Sequence, residues 1–144
     1  PPGAPSLPSR PGATLGADEA RERRWLSMVI ALPDASAEYV GALGGSDAFD
    51  LPAHQRAFEL LASGTFPEGW PDDLAGLGVE LRALASDHPP SEQELTEATF
   101  RLQERSLERQ AQRARDRGDD AAFFETRRLL TRLRQAIRTP ARPS

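Results

Sequence analysis

Two seven-residue repeats on either side of one glycine restrict this chain more than anything else in it. Phe100, Leu107 and Ala114 precede Gly118, and Phe123, Leu130 and Ile137 follow it. Seven is the spacing of a packed helix–helix seam. If the chain reverses about residues 118 to 119, facing residues have numbers that sum to about 237, which pairs Phe100 with Ile137, Leu107 with Leu130 and Ala114 with Phe123. The last pair sets a large side chain against a small one, as close packing requires. Ser91 and Glu94 form a capping-box pattern, so the first arm is expected to start at Ser91. Gly118 can adopt the left-handed conformation that stops it, and Asp119 or Asp120 can cap the second arm, which runs to Arg138. A helix from Ser91 to Arg117 is about 40 Å long, more than a chain of this size needs for its own core.

The stretch before the hairpin reads as a small helical bundle over residues 18 to 90. A first helix from about Asp18 to Leu32 places Trp25, Met28, Val29 and Leu32 on one stripe, widened by Leu26 and Ile30, with Pro33 stopping it. Asp34 can cap a second helix through Tyr39, Val40 and Leu43 to Gly44. Asp50 and Pro52 start a third, with Phe58 and Leu61 inward and Gly64 at its end. Phe66 and Trp70 pin a loop. Pro71 to Ser86 carries Leu74, Leu77, Leu81 and Leu84 on one side, and Gly76 and Gly78 are expected to split it into two short helices. No period-two run of β-branched residues occurs, so the expected fold is all-α. Residues 1 to 17, with five prolines, read as a flexible Pro-rich linker, and residues 139 to 144, with Pro140 and Pro143, as a tail. The chain opens on Pro1 instead of methionine and is expected to be a fragment of something larger.

Charge divides the chain. All 18 basic residues are arginine. Between Asp18 and Ala98 there are 5 arginines and 16 acids, whereas Thr99 to Ser144 holds 12 arginines and 6 acids, so an acidic body carries a basic arm. The absence of cysteine removes thiolate ligands, and with His54 and His88 as the two imidazoles a structural zinc site is not expected. There is no Walker-type or dinucleotide glycine pattern and no bilayer-spanning apolar run, so neither a bound cofactor nor a membrane is expected. His54 has no acid or imidazole at i+4, and a packing or hydrogen-bonding role suits it better than catalysis. The paired acids at 72–73 and 119–120 sit at helix starts, where the helix dipole accounts for them. No catalytic set is assembled.

The arm is where function would lie. On the second helix Phe124 falls opposite the apolar arc, surrounded by Arg127, Arg128, Thr131, Arg134, Gln135 and Arg138. A ring ringed by cations has the composition of a protein-binding hot spot. A ring covered by the bundle, or folded onto its own arginine stems, is the alternative. On the first helix Arg101, Arg105, Arg109, Arg113 and Arg117 recur every four residues, away from the seam, and Arg101 alone has an acid four residues before it. Such a row is either a solvated face or a surface awaiting an acidic partner. Nucleic acid fits less well, because the chain as a whole is acidic.

Two passages, Arg21 to Pro33 (RERRWLSMVIALP) and Phe49 to Leu61 (FDLPAHQRAFELL), taken with the order of tether, bundle and hairpin, resemble the C-terminal domain of bacterial replicative DNA primase over residues 18 to 138. The second passage is also similar to the N-terminal collar domain of the hexameric replicative helicase. The resemblance implies a non-catalytic docking piece, with primer synthesis and zinc binding in upstream domains. It implies the helicase N-terminal domain as the partner, the single-stranded-DNA-binding protein as a second candidate, and the cytoplasm, at the replication fork, as the location. On that reading Phe124 is the apolar anchor, and Arg109, Arg113, Arg117, Arg127, Arg128 and Arg134 are the charged contacts. A helicase collar domain, or a basic hairpin gripping single-stranded nucleic acid, is the competing assignment.

Overall fold

The structure is a computed structural model that describes residues 16 to 138, with side chains described to residue 136. The expected linker and tail therefore lie outside the described residues, apart from Gly16 and Ala17. Six α-helices and no strand occur among the described residues: α1 (Ala17–Ala31), α2 (Pro33–Leu43), α3 (Pro52–Ala62), α4 (Asp72–Asp87), α5 (Glu92–Asp116) and α6 (Asp120–Arg138). Short 3-10 turns at Ser46–Ala48 and Pro67–Gly69 link α2 to α3 and α3 to α4. The all-α class is as expected.

Helix α1 is the centre of the core because its apolar stripe is wide enough to be covered on several sides. Trp25, Leu26 and Val29 are completely buried. The Trp25 ring tilts against Phe49 and Phe58, with centroids 5.7 and 6.0 Å away, and its indole N–H donates to Thr99 Oγ1 at 2.8 Å. Thr99 belongs to α5, as do the buried Leu95 and Leu102. The first half of α5 is thus part of the bundle core, and the bundle and the hairpin share it.

Several local expectations hold. The capping box at Ser91 is formed in both directions, Glu94 N–H to Ser91 Oγ and Ser91 N–H to Glu94 Oε1, each 3.1 Å. Gly64 and Gly118 have φ of +85° and +72°. Each ends its helix by the same pair of hydrogen bonds: Thr65 N–H to Leu60 O and Gly64 N–H to Leu61 O in one case, Asp119 N–H to Ala114 O and Gly118 N–H to Arg115 O in the other. Asp119 is the residue that caps α6, its carboxylate accepting from Ala122 N–H at 3.1 Å.

Others change. Asp34 does not cap α2: Pro33 occupies the first helical turn, where its missing N–H costs nothing, and Leu32 precedes it. Asp50 does not cap α3 either, because its carboxylate is paired with Arg109. Helix α4 is unbroken. Gly78 lies inside it for a packing reason, since a Cβ there would stand 3.0 Å from Pro67 Cβ and 3.4 Å from the Trp70 ring. The glycine admits the loop that Trp70, itself buried and bonded through its indole N–H to Thr65 O, closes against α4.

Cross-hairpin contacts fix the register of α5 against α6. Arg134 Nε meets Glu104 at 2.7 Å, and the Arg115 guanidinium lies 4.9 Å from the centre of the Phe123 ring. The paired numbers sum to 238 in both cases, next to the value read from the repeats. The Ile137 side chain lies outside the described residues, so its pairing with Phe100 does too. Leu130 and Ala114 are buried at the seam, whereas Leu107 is only half-buried. Leu130→Ala is therefore expected to cost about 2–5 kcal/mol in urea unfolding, and Leu107→Ala distinctly less; equal losses would mean that the seam is centred elsewhere.

Candidate interaction surface

The cations expected to face a partner do not form one surface. Helix α5 has two opposed faces. One carries Phe100, Leu107, Ala111 and Ala114 towards α6, and the other, away from the seam, is covered along its first half by the bundle. Arg105 and Arg109 lie at the edge of that covered half. Arg105 Nη2 donates to Glu22 Oε2 at 2.5 Å and to Ala48 O at 2.8 Å, and Nη1 approaches Asp18. Arg109 donates to Ala48 O at 3.0 Å and to Asp47 O at 3.3 Å, and pairs with Asp50. As a partner contact Arg109 is thus corrected to an internal clamp: the 3-10 turn Ser46–Ala48 ends with carbonyls that need donors, and Arg109 supplies them.

Around Arg105 is the one buried ionic cluster of the described residues. Glu22 is fully buried, and its carboxylate accepts from Asp50 N–H at 2.9 Å, from Arg105, and shares a 2.7 Å hydrogen bond with Nδ1 of the buried His54. Three acceptor sites are filled by groups from three parts of the chain. The carboxylate is stabilised where a lone one would not be. His54 has the hydrogen-bonding role expected of it, with an acid from α1 and not from its own helix. Glu22 carried a readable signal, since it sits three, four and seven residues before Trp25, Leu26 and Val29, inside the apolar stripe of α1.

Arg134 is also engaged. It bridges the hairpin arms, Nε to Glu104 at 2.7 Å and Nη2 to Glu108 at 2.5 Å, and the hydrogen bond to Glu104 holds the guanidinium above its ordinary pKa. It is a cross-link of the seam and not a rim cation.

What remains are exposed side chains on both arms near the hairpin turn. Phe124 is 65% exposed and rests edge-on against Phe123, ring centres 5.5 Å apart. Arg127 and Arg113 are exposed with no ion pair among the described residues. Arg128 pairs with Glu125 at 3.1 Å and Arg117 with Asp119 at 3.6 Å, both in solvent-exposed positions. Exposed pairs of this kind contribute little and open at little cost. Phe124 is neither covered by the bundle nor buried under its own arginines.

Among the described residues no group of three or more His, Asp or Glu side chains is placed to hold a metal ion, and no helix is long and apolar enough to cross a membrane. Comparison of the chain with protein-family models, with curated proteins and with solved structures gives no match.

Proposed function

We propose that this chain is a docking module that recruits a DNA primase to the hexameric replicative helicase, through the free end of the α5–α6 hairpin. The observation that carries the reading is the exposure of Phe124, a large ring held in solvent by its neighbour Phe123 on a helix whose other side is packed. A monomer has no folding use for such a ring, and at an interface a buried aromatic with an arginine rim is a common hot spot. Arg113 and Arg117 belong to the face of α5 turned away from the seam, and Arg127 and Arg128, three and four residues after Phe124 on α6, form the rim. Arg109 and Arg134 are left out of it because their carboxylate partners are already within the chain.

The same pairing weakens the nucleic-acid reading. A helix gripping a phosphate backbone needs consecutive free cations, and here Arg105 and Arg109 are spent on Glu22 and Asp50.

Calorimetric titration into a purified bacterial replicative helicase tests the proposal, with a single-stranded oligonucleotide as parallel ligand. Phe124→Ala is expected to cost about 2 kcal/mol or more of binding while leaving the unfolding transition in place, because the ring is largely exposed. Unchanged affinity for helicase would remove Phe124 from the interface. Salt-sensitive oligonucleotide binding without helicase binding would overturn the docking reading altogether.

A further inference from the structure

On the other flank of α6 from Phe124, three helices enclose a groove of about 410 Å³. Leu43 at the end of α2, Leu107 of α5, and Leu129 and Leu133 of α6 supply its apolar lining. Leu129 is 40% exposed, one of the three large apolar side chains that are exposed among the described residues. Of the nine lining residues, Arg132 is the single charged one, and no carboxylate is present. The bundle does not close the groove. At this edge Gln103 Nε2 donates to Ala42 O at 2.7 Å.

We infer that this groove is a second docking site, for an amphipathic segment of a partner protein that presents two aliphatic side chains at helical spacing and a carboxylate. The aliphatic floor fixes the first requirement. A helix laid into such a trough is read through anchors three or four residues apart. Arg132 fixes the second, because a lone rim cation favours an acidic partner and disfavours a basic one. Neither residues 1 to 15 nor residues 139 to 144 carry an acidic side chain. Residues 1 to 15 carry Arg10 as their one charged side chain, and residues 139 to 144 carry Arg142, each of the same sign as Arg132. The groove does not depend on the helicase reading, since it shares no residue with the Phe124 patch.

Selection of short random peptides displayed on phage against the whole chain tests this, with Leu129→Ser as the counter-selecting variant. Arg132 is exposed and Leu129 is 40% exposed, so Arg132→Glu is expected to keep the wild-type unfolding midpoint and Leu129→Ser to keep a cooperative transition at a slightly lower one. Enriched peptides should carry Leu or Ile pairs three or four residues apart together with Asp or Glu. They should bind about tenfold more weakly to Arg132→Glu and equally well to Phe124→Ala. Enrichment of basic peptides, equal binding to Leu129→Ser, or no enrichment at all would overturn the inference. So would a concentration-dependent dimer lost in Leu129→Ser, which would assign the groove to a second copy, or a gain in peptide affinity on deleting residues 1 to 15, which would assign it to the chain's own N-terminal segment. Loss of helicase binding in Phe124→Ala with peptide binding intact separates the two sites.

Discussion

Arg105→Ala is expected to destabilise the chain by about 3–5 kcal/mol, more than any other single arginine removal. Its target is Glu22, which has no contact with solvent and would lose the guanidinium that pairs with it. His54 and the Asp50 N–H would remain, but neither replaces a guanidinium. Arg105→Lys should recover only part of the loss, since a single Nη2 now serves both Glu22 and Ala48 O and an ammonium lacks the planar fork that completes the reach to Asp18. Arg109→Ala is the contrast. Its Asp50 partner is half exposed and Ala48 O keeps Arg105 as a donor, so a smaller loss of about 1–2 kcal/mol is expected there. Urea unfolding at constant m separates these cases. An Arg105→Ala cost below that of Arg109→Ala would mean that Glu22 is solvated in solution.

Trp25→Ala should cost about as much, 3–5 kcal/mol on the scale of large aromatic truncations. The indole is completely buried, touches Phe49 and Phe58, and spans from α1 to α5 through its bond to Thr99. Trp25→Phe removes the N–H donor together with part of the buried ring, while Thr99 Oγ1 still donates to Leu95 O, and an intermediate loss of about 1–3 kcal/mol is expected. Trp70 remains in both variants as a fluorescent reporter of unfolding. A small loss in Trp25→Ala would show that α5 is held to the bundle mainly by its ionic contacts and not by this apolar one.

Much of the architecture was legible because it is written in neighbouring residues. The capping box at Ser91, the helix stops at Gly64 and Gly118, the stripe around Trp25 and the two seven-residue repeats all act within a turn or two of their own position, where helical spacing makes them readable. What was not legible depends on residues far apart in the chain. Glu22 and Arg105 are separated by 83 positions, and the arginine row of α5 gives no local sign that its first half is covered and its second half is not. Gly78 illustrates the same point from the opposite direction. A glycine within a helical run suggests a break, and the Pro67 and Trp70 contacts that require it come from a loop whose path the helix pattern does not reveal. The site was partly legible for the same reason. The exposure of Phe124 could be read from its angle on the helix, while the pairing of Arg109 and Arg134 could not, because Asp50 lies in the link before α3 and Glu104 and Glu108 on the facing arm.

Helix α5 passes without interruption from the core to the hairpin turn. An unbroken α-helix is stiff along its length, so the hairpin is a lever whose fulcrum is the Glu22–Arg105 contact and whose free end extends roughly 17 Å beyond it. A force applied at the tip would therefore be carried along α5 to a buried carboxylate.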